Sequence, residues 1–542
     1  MPEKSELPIF RAVVKQPETR DLLHAAEGLF RIADNFKLSE NKDALILESP
    51  THAVELARAS GGIWAADNTR LFNPGLKPEL PDLDKAGSFA KDFAANSGLL
   101  PSLGGAASWG DVVLGGTRLA TVNGKEREDR ELDRQFIFPV LVEGLPVVGG
   151  GGDFTLALGD GGDIIGFHGV WRELADSFVS RTVPREEAEE SYRKSLDAAG
   201  LKLESVTSYL AYYSAPASEG QEFLYPVHVL GGTAVVDGQQ VPLRMSTVPA
   251  TEFGPQPVIP APERKRPPKA RPGAGGGDEK PRQRRGYTIP STGERVTAEA
   301  RAANPFEAGT SWIGVSGGLA GSKKNAKGFV DGWQNAGWNV NFNWGDANAF
   351  ESDWRRNDDT WVDAADFVFY TGHASMNGWV LANPDDGSLN FSEVGASPAN
   401  PGDLWGQNDL EWVTVAACGP LQDSILSPGG GNVLSRWDGA FDGLHLLMGY
   451  GAITFDNETE GRDLVKYARQ GKTLRDAWFR TAKETQPATN GSAAPDGPVV
   501  WTGVMWASKA GADPANDHAW GHGSVSADPV SPTSLSCMWT VC

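Results

Sequence analysis

Two unbroken apolar runs stand out against a chain that otherwise alternates between apolar and polar positions. One is Asp366-Phe-Val-Phe-Tyr-Thr-Gly-His373-Ala374; the other is Leu410-Glu-Trp-Val-Thr-Val-Ala-Ala-Cys418-Gly419. Both are short, rich in β-branched and aromatic residues, and bounded by Gly, Asp or Pro. Such runs fit strands buried on both faces, as in a parallel sheet, better than helices. The same region opens with a further apolar run, Thr310-Ser-Trp-Ile-Gly-Val-Ser316, then a glycine loop, a helix expected over 327–338 and a strand over 339–344. That order is β-loop-α-β, the start of a parallel sheet. Downstream, a strand is expected over 444–450, helices over 462–470 and 473–485, and a last strand over 499–504.

Upstream, the periods change. A strand at 9–14 precedes three stretches with apolar residues at helical spacing, 16–30, 51–60 and 83–97; Leu22, Leu23, Ala26 and Leu29 mark the first, and Ala53, Leu56 and Ala57 the second. From residue 134 the pattern is strand-rich. Runs at 154–158 and 164–167 flank Gly159-Asp-Gly-Gly-Asp163, a hairpin signature. A helix over 185–199, strands over 206–213 and 224–230, and a hairpin through 235–241 follow. The glycines at 149–152 join two strands and lead into no helix, so they read as a turn, not a phosphate loop.

Composition divides the chain further. At 542 residues it is too long for one core. Residues 254–292 are Pro-, Gly- and Arg/Lys-rich and cannot bury enough apolar surface to order themselves. The expected division is therefore a mixed helical region (1–133), an α+β module (134–252), a basic linker (253–304), an α/β domain (305–507) and a C-terminal tail (508–542). The formal net charge of −21 argues against affinity for nucleic acid or anionic membranes. Three cysteines rule out a disulfide framework. With neither a basic-then-apolar leader nor an apolar run long enough to span a bilayer, a cytoplasmic location is expected.

The chemistry lies at the ends of the two apolar runs. A His closing one parallel strand and a Cys closing another face the same crevice, where open α/β sheets place their ligands. A thiol needs a base at neutral pH, and imidazole has the matching pKa. His373 and Cys418 are thus a candidate catalytic dyad. Other motifs are weaker. The loop at 317–324 fails the Walker spacing because Ser322 intervenes, and Gly314-Val-Ser316-Gly-Gly318 matches a nucleophile elbow but sits on the first strand of its domain. His518, His522, Cys537 and Cys542 offer a loose zinc set, against a disulfide or a plain ordered tail. His445, next to a buried strand, reads as structural.

The His and Cys blocks resemble the caspase-like superfamily of cysteine peptidases, which includes caspases, metacaspases, gingipains, clostripain and legumain. In that family an apolar strand ends in His-Gly and a later one in Ala-Cys. Here the blocks are Tyr370-Thr-Gly-His373-Ala374 and Val415-Ala-Ala-Cys418-Gly419, with Ala374 where the family usually has Gly. The whole chain also looks like a bacterial group that carries this domain behind a long N-terminal region. The resemblance implies a three-layer α/β/α fold and a cysteine endopeptidase that needs no metal or organic cofactor. Cys418 would be the nucleophile and His373 the proton carrier, with the backbone N–H groups of Ala374 and Cys418 as the oxyanion hole. Acidic side chains near the nucleophile strand would select a basic substrate residue, with Asp423, Asp456 and Glu458 as candidates. The 134–252 module resembles propeptides of some secreted peptidases. That implies a zymogen, contact between the N-terminal region and the catalytic domain, and processing in the basic linker. The partner expected is a peptide or protein substrate. The alternative is a caspase-like binding or regulatory protein that has lost turnover.

Overall fold

The computed structural model describes residues 5–30, 36–236, 238–254, 306–382, 387–395, 404–491 and 499–542, and the protein is a mixed α/β structure. The basic segment with its expected processing site lies outside the described residues. The N-terminal half contains β1 (Glu6–Val13), α1 (Thr19–Phe30), α2 (Leu83–Asn96) and a long hairpin of β2 (Val113–Asn123) and β3 (Glu126–Val142). It continues with α3 (Arg185–Ala198), β4 (Lys202–Tyr213), β5 (Phe223–Val236) and β6 (Gln239–Pro249). The C-terminal half runs β7 (Glu307–Trp312), α4 (Ser322–Gln334), β8 (Asn339–Gly345), β9 (Phe367–Thr371), β10 (Trp412–Ala416), α5 (Val433–Arg436) and β11 (Leu446–Tyr450). It ends with α6 (Glu460–Arg469), α7 (Leu474–Thr485), β12 (Trp501–Ser508) and β13 (Ser534–Val541).

Strands β8-β7-β9-β10-β11 are hydrogen-bonded in that order and all parallel. Alternate residues of each strand serve opposite faces. Phe367 and Phe369 of β9, with Trp412, Leu446 and Met448, pack under α4, α6 and α7 through Phe329, Val330, Trp333, Leu464 and Trp478. Val368 and Tyr370, with Val413, Val415 and Leu447, pack on the other face against Trp354, Trp379, Trp405 and Trp437. That second layer differs from a helical one. It consists of 3-10 turns, the four-residue α5 and a three-stranded sheet of Ala374–Ser375, Gly378–Val380 and Ser388–Asn390, held by stacked indoles such as Trp379 on Trp437 at 5.5 Å.

The expected domain boundaries do not survive pairing. β12 and β13 extend the sheet antiparallel beyond β11, and β13 pairs its far edge with β2 from Ser534↔Asn123 to Thr540↔Thr117. The sheet then runs on through β3, Asp153–Leu158, Ile164–Gly169 and Ile63–Asp67. The residues expected as a tail are therefore the joint between the two halves. The boundary drawn at 133/134 falls inside β3, where Leu132 and Asp133 are buried. Residues 51–60, expected as a helix, hold the strand His52–Ala57, paired on both sides; the spacing of Ala53, Leu56 and Ala57 did not separate the two periods, and the neighbouring strands decided.

The tail is also pinned by charge. His445, fully buried before β11, is 2.6 Å from Asp517 through Nδ1 and 3.3 Å from Asp528 through Nε2. Burial alone would disfavour its charged form, but the two carboxylates outweigh that and raise its pKa to about 9. The folded value lies above the unfolded one, so this contribution is fully present below about pH 6.5 and is lost as pH rises through about 9. Thermal unfolding should thus show His445→Gln less stable than the wild type by about 3 kcal/mol at pH 6, with the difference closing as pH rises through about 9.

Candidate functional site

His373 and Cys418 each follow a buried strand by the same short step. The register Thr371↔Ala416 makes β9 and β10 direct neighbours, so both residues lie two positions beyond a matched pair at the carboxyl rim. Both residues thus leave the sheet at the same rim, from adjacent strands. His373 is 1% exposed and Cys418 fully buried.

The ring of His373 is held at both nitrogens. Nε2 donates to the carbonyl of Gly317 at 2.7 Å, which leaves Nδ1 as the acceptor facing the crevice. Burial, aided by the nearby Arg244 charge, lowers its pKa to about 4 against the opposing pull of Gly317. The neutral form is the one that accepts a proton. Gly317 earns its place by closeness: an added Cβ would sit 3.2 Å from His373 Cδ2 and Nε2, and 2.8 Å from Ile313 Cγ2. The loop is in turn fixed by Asp346, whose Oδ1 accepts from Gly314 N–H (2.9 Å), Ser316 N–H (3.0 Å) and Ser316 Oγ–H (2.8 Å). The serine of the expected elbow is thus a brace for the histidine loop. Cys418 Sγ accepts the N–H of Thr454 at 3.3 Å. Ala374 follows His373 into the small sheet and is not among the residues with positive φ, so alanine holds this backbone position without strain.

Arg244, on β6 of the N-terminal half, fills the crevice. Its N–H donates to His373 Nδ1 at 3.1 Å, and its fully buried guanidinium donates to Thr371 Oγ1 (3.0 Å), the Ala416 carbonyl (2.7 Å), the Phe455 carbonyl and Glu460 (3.1 Å). On the same side α3 brings Tyr192 near the thiol: burial, and then the charge of Cys418, pushes its phenol up. No local pattern announces Arg244; a buried arginine between apolar neighbours, Leu243 and Met245, was the one available signal.

Of the three carboxylates expected to select substrate, Asp423 and Glu458 are engaged elsewhere, whereas Asp456 lies near enough to Arg244 to support its charge. Asp423 is buried and bound by Arg127 of β3 at 2.6 Å, and accepts from Ile425 and Val433 N–H, so it fastens the loop after β10 to the N-terminal half. Asp456 is half-buried and accepts from Gly321 N–H at 2.7 Å. Glu458 is exposed and paired with Lys324. The acid paired directly with Arg244 is Glu460, at the start of α6, fully buried and held by Asn325, Tyr450 and Gln486, each at 2.8 Å. In the tail, His518 bonds the Ser524 carbonyl, and Cys537 and Cys542 are buried free thiols. Among the described residues the grouping that could hold a metal is Glu307, Asp366 and Asp409, at the opposite rim, and the four tail residues form no such group.

A family model described as a domain of unknown function (DUF6345) matches residues 306–541, which takes in β7 through β13. No curated protein matches the chain. Among solved structures it is similar to an uncharacterized protein from Eubacterium rectale ATCC 33656, at 10% identity and a TM-score of 0.28, over 46% of this chain and 84% of that one. No helix among the described residues is long and apolar enough to cross a membrane.

The role of Asp423 is directly testable. Arg127→Ala leaves that carboxylate buried with backbone donors alone, which should lower stability by about 2–3 kcal/mol in denaturant titration. Asp423→Asn combined with Arg127→Ala should recover part of the loss.

Proposed function

We propose that the chain is a cysteine endopeptidase whose caspase-like parallel sheet at 305–507 carries helices on one face and turns and a small sheet on the other, is extended by the strands that follow, and is folded here in a latent form. The observation that carries this reading is the placement of His373 and Cys418 on neighbouring parallel strands at one rim, with His373 turned so that Nδ1 faces the crevice. In the reaction, Nδ1 takes the thiol proton and Sγ bonds to the substrate carbonyl carbon. The C–N bond then breaks, and the proton passes to the leaving amine. Water, deprotonated by the same nitrogen, attacks the thioester and releases the carboxylic acid and the thiol. Backbone N–H groups of Ala374 and Cys418 would receive the oxyanion. No metal or organic cofactor enters these steps.

One observation favours the second reading, a binding or regulatory protein without turnover: both side chains are closed from solvent and Nδ1 is already engaged by Arg244. Covalent labelling separates the two. After limited proteolysis in the basic segment, a peptidyl acyloxymethyl ketone should modify Cys418, seen by peptide mass mapping. The rate should fall by about 100-fold or more in His373→Ala. Absence of the Cys418 adduct, or equal rates with and without the imidazole, would leave the second reading.

A further inference from the structure

Where the two halves join, the sheet turns one face toward α7 and encloses a small chamber. Thr155 and His168 are direct partners across the ladder of Asp153–Leu158 with Ile164–Gly169, so their side chains leave the same face. Trp64 pairs with His168 from the other side, and Lys483 of α7 reaches the same space. The cavity these residues share measures about 10 Å³, room for one occupant of atomic size, and is closed by Leu71 and Phe72. No carboxylate lines it among the described residues.

Three groups in this chamber call for an acceptor. Thr155 Oγ1 and His168 Nε2 are buried and have no hydrogen-bond partner among the described residues. Lys483 Nζ donates to Gln135 Oε1 at 3.0 Å and to the Val541 carbonyl, both neutral. Asp133 and Asp153 support its charge without bonding to it, and burial lowers its pKa to about 8, so at pH 7 it is still an ammonium. A buried charge with no bonded counter-charge is costly. His168 adds no charge of its own, because burial, and then Lys483 and Arg480, hold it neutral; Nε2 carries a donor N–H in one tautomer. The next cavity, about 40 Å³, shares Trp64, His168 and Lys483, and its acids are engaged. Glu55 and Glu484 pair with Arg480, and Asp153 accepts the N–H of Ala488 at 3.2 Å.

We propose that this chamber binds a monatomic anion of chloride's size, held by Lys483, His168 and Thr155. A water in the same place would answer the hydrogen bonds but leave the ammonium unmatched, and a carboxylate or phosphate exceeds the space. A halide accepts from all three donors and supplies the missing charge. Thr155 and His168 belong to the N-terminal half and Lys483 to the C-terminal one. The bound ion therefore ties the halves together beside the pairing of β2 with β13, whose Val541 carbonyl Lys483 also holds. Nothing in the peptidase reading depends on this site.

Thermal unfolding of the full chain at pH 7 tests it, with sodium chloride replaced stepwise by sodium gluconate at fixed total salt. The melting temperature should rise by about 3 °C as chloride climbs from trace level to about 100 times its dissociation constant, and bromide should act likewise. Lys483→Met should abolish the response. Thr155→Val, which keeps the shape and every charge, should move its midpoint about tenfold higher in chloride, and it keeps the test decisive if Lys483→Met does not fold. A wild type indifferent to the exchange of anions, as a chamber holding only water would be, overturns the proposal. So does a chloride response that Thr155→Val leaves unchanged, since that would come from the protein surface.

Discussion

A guanidinium buried with no access to water is costly unless every donor finds an acceptor, and the cost rises steeply if its charge is unmatched. Arg244 meets that demand at its two terminal nitrogens, though not at Nε, with groups drawn wholly from the other half of the molecule: Thr371, Ala416, Phe455 and Glu460. Once the arginine is committed, the rest follows. β6 must bulge to deliver it, the main chain beside it must bond to 454–456, and His373 receives an N–H where a proton acceptor is wanted. The crevice is closed by the same contacts that define its shape.

The two halves are also joined by backbone. β13 lies between β12 and β2, so one sheet passes from the parallel strands into the antiparallel N-terminal region. Asp423 with Arg127 and Arg480 with Glu55 add ion pairs across the joint, the latter holding the Glu55 carboxyl down at about 2 against the effect of burial. The bulged strand and α3 lie over the rim, whereas the joint is made elsewhere along the sheet.

The orientation of the His373 imidazole depends on a loop with no chemistry of its own. Gly317 fixes the tautomer of His373 through its carbonyl, and Asp346, at φ +50, fixes the loop through three donors. The glycine run that looked like a failed phosphate or serine motif is thus a hinge point for the imidazole. Close approach explains the glycine; no ligand is required.

Local pattern determined a good deal. The two unbroken apolar runs read as buried strands, and they are buried neighbours in the sheet, so His373 and Cys418 follow adjacent strands. The helices over α4, α6 and α7 followed from apolar spacing, because one face of each must cover a sheet. The pairing of charges was not legible. Asp423, Asp456 and Glu458 were nearer in sequence to the cysteine or equally placed in loops, yet the acid bonded directly to the crevice arginine is Glu460, and its partner is 216 residues away. The tail became a strand because β12 and β2 each offered it an open edge. Sequence pattern records which residues prefer to be buried; which charge meets which, and which edge takes a strand, is set by how distant segments stack, and only the folded chain brings those segments together.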